Sequence, residues 1–102
     1  MSIDEDIKID EDDINRYVTN YGANARLIGS LVNYAEKRCP VGDALTGLLE
    51  NDLRKFVGHA DTVTMADLDN LFKFAYNVLP SYCWGSKDRV TAHLTGEDNV
   101  PK

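Results

Sequence analysis

The fold is decided by residues 71–86, which read LFKFAYNVLPSYCWGS. This stretch holds five of the nine aromatic residues and the only tryptophan of the chain. It begins with the apolar spacing of one helix face, and Pro80 interrupts that helix because proline lacks the backbone N–H that a helix needs. Gly85 and Ser86 then close an aromatic turn. We expect the rest of the chain to pack around this turn.

Apolar residues recur at helical spacing along most of the remaining chain. Residues suited to the first position of a helix precede each periodic segment, which predicts helices starting near Asp12, Asn24, Asp43, Thr64 and Ser86. No strand pattern of useful length occurs, and there is no internal repeat. The sequence therefore predicts an all-α protein, a compact bundle of four to five short helices.

Two of these helices carry detailed expectations. We expect the third to run without a break from Leu45 to Phe56. The start of the fourth is predicted by the capping box Thr64-Met65-Ala66-Asp67. Its expected core face is Leu68, Leu71, Phe72, Ala75, Val78 and Leu79.

Charge divides the chain into an acidic start and a neutral body. The net charge is −6, and the seven acids and one lysine of residues 1–13 account for all of it. We expect residues 1–10 to be a flexible acidic leader rather than a frayed strand, residues 11–96 to form one helical domain, and residues 97–102 to fray. The neutral body argues against an acidic nucleic-acid mimic and against direct nucleic-acid binding through a basic surface.

The cellular setting is predicted from what the sequence lacks. No apolar run approaches the roughly 20 residues of a membrane-spanning helix, and the acidic start differs from a signal peptide. We expect a cytoplasmic protein without a membrane partner, in which Cys39 and Cys83 are free thiols. Because no CxxC or HxxxH spacing occurs, we expect no metal site and no cofactor.

Catalysis has little support in the sequence. A nucleophile would have to be Cys83, with His59 or His93 as its base, and no GxSxG elbow frames it. His59 and Asp61 could form an acid–base pair or bind a metal, although a helix-end histidine followed by a turn aspartate gives the same pattern. We therefore expect no enzymatic activity and assign no catalytic residue.

Cationic side chains beside aromatic rings are the best candidates for ligand binding, since together they can hold a nucleobase and its phosphate. The candidate ligand-binding residues are Arg54, Lys55, His59, Tyr82, Trp84, Lys87 and Arg89. Trp84 has two interpretations: a core ring whose N–H is bonded to a carbonyl, or a platform on which a ligand stacks.

One motif carries a family resemblance. The pattern Tyr76-Asn77-x-x-Pro80-x-x-Cys83-Trp84-Gly85-Ser86-x-x-x-Val90 resembles a family of small tailed-phage proteins that has no established activity. Further parts of the same pattern are Pro40-x-Gly42-x-x-Leu45, Asn51-Asp52-Leu53, Ala60-Asp61 and Leu71. The resemblance covers roughly residues 34–94 and departs near its end, where Ala92-His93-Leu94 stands in place of an expected tryptophan. It implies a phage origin and assigns no catalytic residue.

These observations favour a phage-type, non-enzymatic accessory protein that binds a host factor stoichiometrically. Its expected partner is a host protein, and the expected effect is to inhibit host defence or redirect host machinery. The alternative is a small-ligand binder, for example a homo-oligomer that sequesters an anionic nucleotide signal. An acidic nucleic-acid mimic and an enzyme are further alternatives.

Overall fold

The chain folds into short α-helices that pack around one hydrophobic core. The computed structural model describes residues 7–96. Its α-helices are α1 Glu11–Asn15, α2 Ala25–Lys37, α3 Asp43–Leu49, α4 Leu53–His59, α5 Thr62–Ala66, α6 Leu68–Val78 and α7 Lys87–Thr95. A π-helical turn, Arg16–Asn20, extends α1, and a 3-10 turn, Ser81–Cys83, precedes α7. Residues 7–96 contain no strand, which confirms the all-α class, but the helices outnumber the four to five predicted.

Among the described helices, α2 contributes the most buried residues to the core. Asn24 caps it as predicted, because its side-chain oxygen accepts the backbone N–H groups of Arg26 at 2.9 Å and Leu27 at 3.1 Å. The buried side chains of this helix are Leu27, Ile28, Leu31, Tyr34 and Ala35. Among the described helices, none is long and apolar enough to cross a membrane.

The predicted third helix is divided into α3 and α4. Asn51 adopts a left-handed backbone with φ 62°, which a continuing right-handed helix does not allow. Asp52 then caps α4 by accepting the Lys55 N–H at 3.0 Å. The expectation of one continuous helix was wrong. The apolar spacing did not reveal the break, because a single left-handed asparagine leaves that spacing unchanged on both sides.

Gly47 allows the two halves to pack closely after this reversal. A Cβ on Gly47 would lie 2.6 Å from the Phe56 nitrogen, closer than real Cβ atoms come. Phe56 is consequently buried in the core, whereas Leu53 is 62% exposed. The break therefore places an apolar side chain of α4 on the surface.

The predicted fourth helix also starts differently. Asp61 rather than Thr64 provides the first cap, accepting the Thr64 N–H at 2.7 Å, and Thr64 itself is buried. Asp67 ends the short α5 and begins α6. Its carboxylate accepts the Asn24 N–H at 2.7 Å, so this residue joins the start of α6 to the start of α2. The predicted capping box at Thr64 was therefore wrong, because the Asp61 carboxylate three residues upstream caps a separate short helix, α5.

The core face of α6 was predicted in part. Leu71 and Ala75 are buried as expected, but Phe74 occupies the core position assigned to Phe72. Phe74 packs edge-on against Tyr17, with ring centroids 5.2 Å apart. Phe72 is 41% exposed as a result.

The start of the described chain is packed. Ile9 is 5% exposed and Ile7 is half-buried against the core. The Ile9 N–H donates to the Glu36 carboxylate at 2.7 Å. The expectation that Ile7 and Ile9 lie in an unpacked leader was wrong, because two isoleucines and one charge-assisted hydrogen bond hold this segment to α2. The rest of the predicted leader and the predicted frayed tail 97–102 lie outside the described residues.

Candidate functional site

An open hollow lies where α6, the 3-10 turn and the start of α7 meet. Its volume is about 360 Å³. The residues that line it are Asn51, Phe72, Tyr76, Ser81, Trp84, Gly85 and Arg89. Three aromatic rings, one guanidinium and small polar groups thus share a single concave surface.

The aromatic wall comes from one face of α6. Phe72 and Tyr76 are four residues apart, so they are neighbours on the helix surface. That face points away from the core, and Tyr76 is 73% exposed. The Phe72 ring meets Trp84 edge-on, with centroids 5.6 Å apart and ring planes at 87°. This geometry is favourable for aromatic pairs.

Trp84 is both a core residue and a lining residue of the hollow. Its side chain is only 9% exposed and belongs to the core. The same residue also lines the hollow beside Phe72 and Tyr76. Trp84 therefore anchors the fold and offers a small part of its surface to the hollow.

Hydrogen bonds hold the aromatic turn in place from several sides. The hydroxyl of Tyr34 donates to the Cys83 carbonyl at 2.6 Å, and the Gly85 N–H donates to the Leu49 carbonyl at 2.6 Å. Gly85 has φ 110°, a conformation that side-chain-bearing residues rarely adopt. Ser86 caps α7 as predicted, since its hydroxyl oxygen accepts the Arg89 N–H at 3.1 Å. The turn is therefore a fixed part of the fold.

A buried histidine supports this turn from behind. His93 is fully buried, and its Nε2 lies 2.7 Å from the Tyr34 carbonyl oxygen. A carbonyl can only accept, so Nε2 carries the proton and Nδ1 accepts from the Arg38 guanidinium at 3.3 Å. Arg38 also donates to the His93 carbonyl at 2.6 Å. Both ring nitrogens are thus engaged inside the protein, away from the hollow.

The structure places two of the seven predicted ligand-binding residues, Trp84 and Arg89, in the hollow. Tyr82 on the 3-10 turn and Lys87 at the start of α7 are exposed but do not line it. On α4, Arg54 is exposed, and Lys55 is bonded to the Glu50 carboxylate at 3.3 Å. The cations of α4 therefore do not join Trp84 at this site.

His59 lies at a separate cavity of about 220 Å³ that Asp43 and Asp61 also line. Its Nδ1 is 3.8 Å from a carboxylate oxygen of Asp43, too far for a hydrogen bond. The pKa of Asp61 lies below its usual value, because the backbone N–H and the hydroxyl of Thr64 donate to the carboxylate and Arg26 lies nearby. Asp61 is therefore an ionised helix cap. Within residues 7–96, no group of three or more potential metal ligands occurs.

The candidate nucleophile is enclosed. Cys83 is not part of a disulfide and has no exposed surface, and its Sγ lies 3.2 Å from the Pro80 carbonyl oxygen. Cys39 forms no disulfide either and is exposed. The thiol and the imidazole of His93 are thus both held among backbone carbonyls.

The candidate ligand-binding residues did not include five of the residues that line the hollow: Asn51, Phe72, Tyr76, Ser81 and Gly85. Phe72 had been assigned to the core, while Tyr76 had been quoted only as part of the family pattern. The four-residue spacing of Phe72 and Tyr76 could have identified this pair, because it forms a second apolar stripe beside the core stripe of α6.

A smaller recess extends the hollow toward α4. It shares Asn51 and Phe72 with the hollow, and its further lining residues are Leu48, Asp52, Leu53, Phe56 and Leu68. We call the hollow and this recess together the aromatic groove. Its exposed apolar rim consists of Leu53, Phe72 and Tyr76.

The motif that carries the phage-protein resemblance forms one wall of this groove. Trp84 and Gly85 line the hollow, and Pro80 and Ser86 set the ends of the turn that holds them. Comparison of the chain with models of protein families, with curated proteins and with solved structures finds no match. The resemblance therefore stays a prediction, and the case for a function depends on the groove itself.

Proposed function

We propose that this protein is a non-enzymatic binding protein that holds a partner protein stoichiometrically through the aromatic groove. The observation that carries the proposal is the exposed apolar rim. Leu53, Phe72 and Tyr76 are 62%, 41% and 73% exposed around one concave surface. Contiguous apolar surface of this kind marks interaction sites on soluble proteins.

The composition of the groove supports a protein partner. Tryptophan, tyrosine and arginine are the residues that most often dominate the energy of protein interfaces, and Trp84, Tyr76 and Arg89 occur here together. The rigid turn supports the same role, since a surface that is already ordered loses little conformational entropy on binding.

A non-catalytic role is supported by the state of the candidate reactive groups. The Cys83 thiol and the His93 ring are fully buried, and each is engaged by backbone carbonyl oxygens. Neither group lines the groove, so a bound substrate would not contact either of them. The resemblance to phage proteins adds the identity of the partner to the proposal: a host protein, whose activity in defence or in other host machinery the bound protein would block or redirect.

The test is affinity capture followed by reconstitution. The tagged protein is used to capture partners from host-cell lysate, and each captured protein, identified by mass spectrometry, is purified and titrated calorimetrically. We expect one-to-one binding that Tyr76→Ser weakens by about 30-fold, because truncating an aromatic residue that dominates an interface costs about 2 kcal/mol or more.

Tyr21→Ser is the matched control for this experiment. Tyr21 is 51% exposed and lies outside the groove, so this change should leave affinity unchanged. Equal affinity of wild type and Tyr76→Ser for every reconstituted partner would refute the proposed function.

A nucleotide ligand is the second candidate, favoured by the single observation that Trp84 and Arg89 share the hollow. The fluorescence of Trp84, the only tryptophan, reports binding directly. The test is titration with AMP and with cyclic di-AMP. Micromolar binding of either nucleotide that Arg89→Gln abolishes would favour a nucleotide ligand.

A further inference from the structure

We propose that Arg89 makes the aromatic groove selective for a partner segment that carries a carboxylate directly beside a large apolar side chain. This inference rests on the proposed function and names the chemistry of the partner. The carboxylate would be bound by the guanidinium at the edge of the hollow, and the apolar side chain would pack against Phe72 and Tyr76.

The first step of the argument is that the Arg89 head group is held in position. Its Nη1 donates to the Ser81 carbonyl at 3.1 Å and to the Trp84 carbonyl at 3.4 Å. The guanidinium lies directly against Gly85, since a Cβ there would be in van der Waals contact with Nη1 at 3.4 Å. The turn therefore fixes the guanidinium beside the hollow before any partner arrives.

The second step is that Arg89 has donors to spare. A guanidinium carries five N–H groups, and the two carbonyl contacts involve Nη1 alone. Within residues 7–96, no other acceptor contacts the Arg89 guanidinium, and no carboxylate forms an ion pair with it. By contrast, Arg16, Lys55 and Lys73 each pair with a neighbouring carboxylate. The positive charge of Arg89 is thus the uncompensated charge of the hollow.

The third step concerns which anion suits this arrangement. A planar guanidinium with free N–H groups on one side matches the two oxygens of a carboxylate. A polyanion fits less well, because Arg89 is the single cation among the lining residues and Asp52 lies in the adjoining recess. One carboxylate neutralises one arginine.

The fourth step is the size of the hollow. At about 360 Å³, it lies at the lower end of the range for ligand sites. It therefore suits an apolar side chain with its neighbouring carboxylate rather than a large ligand. The carboxylate could belong to an acidic side chain of the partner or to the end of its chain, and the experiment separates these sources.

The test uses Trp84 fluorescence of the full chain and three capped peptides as probes. Acetyl-Asp-Phe-amide carries a side-chain carboxylate, acetyl-Phe carries a chain-end carboxylate, and acetyl-Asn-Phe-amide is the uncharged match of the first. We expect at least one acidic peptide to bind in the millimolar range and to bind about tenfold more tightly than the uncharged peptide, as charge-assisted hydrogen bonds provide. Whichever acidic peptide binds more tightly identifies the source.

Arg89→Gln should reduce the affinity for the acidic peptide to that for the uncharged peptide, while Tyr76→Ser should weaken both. Because Arg89 also supports the turn, the melting temperature and circular dichroism of each variant are measured alongside. The comparison of the two acidic peptides with the uncharged peptide on the wild-type protein needs no variant and decides the question alone. The inference would be overturned if neither acidic peptide binds more tightly than the uncharged one, or if neither shows saturable binding.

The two proposals can fail separately. In one outcome, a partner protein binds in a Tyr76-dependent way, but neither acidic peptide binds more tightly than the uncharged one. That outcome would support the proposed function and refute the role of Arg89. Concentration-dependent dimerisation that Tyr76→Ser abolishes would show a second copy of this chain in the groove, and would also refute the inference about an acidic segment.

Discussion

Removing the Trp84 side chain tests the central claim that the aromatic turn anchors the fold. Trp84→Ala deletes a ring that is 9% exposed and packs edge-on against Phe72 at 5.6 Å. Large-to-small changes of buried aromatic residues cost about 3–5 kcal/mol. We expect a value near the lower end, about 3 kcal/mol, because one part of the ring lines an open hollow into which solvent can enter. For a domain of this size, that loss lowers the melting temperature by roughly 12–24 °C.

The assay is thermal unfolding followed by circular dichroism, with urea unfolding to obtain the free energy. Phe72→Ala is the matched control, since Phe72 is the other ring of the same pair but is 41% exposed. We expect that control to cost about 1 kcal/mol, and the double variant to show a coupling of about 0.5–1.5 kcal/mol between the rings. A Trp84→Ala protein that melts within a few degrees of wild type would refute the assignment of Trp84 to the core.

Three further predictions test the supports of the site and the corrected parts of the fold. Tyr34→Phe should lower the free energy of unfolding by about 1–3 kcal/mol in urea titrations, because it removes the hydroxyl that donates to the buried Cys83 carbonyl; an unchanged midpoint would contradict this support. Ile9→Ala should cost about 2 kcal/mol or more, whereas Leu53→Ala on the surface should stay within about 0.5 kcal/mol; equal effects would show that Ile9 is not packed. Asp61→Ala should be less stable than wild type at neutral pH. The difference in the free energy of unfolding should close as the pH falls below 3.8 and through the lowered pKa of the folded state, because the carboxylate stabilises the fold only while it is ionised. A gap that persists in strong acid would show that the ionised cap is not its cause.

The parts of the fold that were predictable are those that local chemistry determines. Asn24 and Ser86 cap their helices because a short polar side chain precedes an apolar run. Pro80 follows the end of α6 and begins the 3-10 turn, because proline cannot continue a helix. Gly96 ends α7 in a left-handed conformation that glycine adopts freely. Each of these features needs only neighbouring residues.

The parts that were not predictable depend on contacts between distant segments. The sequence LFKFA offers both Phe72 and Phe74 to the core, and spacing alone cannot choose between them. The choice is made by Tyr17, whose ring packs on Phe74 at 5.2 Å and whose hydroxyl meets the Lys73 carbonyl and the Asn77 amide. The hollow could not be predicted for the same reason, since Phe72 had to be excluded from the core before it could line a surface.

The exposure of the groove follows from this choice and separates binding from stability. Because Phe74 fills the core, the Phe72–Tyr76 stripe of α6 is left facing solvent, where Tyr76 contributes little burial to the fold. Tyr76→Ser should therefore change the free energy of unfolding by no more than about 0.5 kcal/mol while weakening partner binding by about 30-fold. Trp84→Ala should impair both, because that ring belongs to the core and to the hollow. A Tyr76→Ser protein that loses as much stability as Trp84→Ala would show that the stripe is part of the core, and the groove would then have no surface to offer a partner.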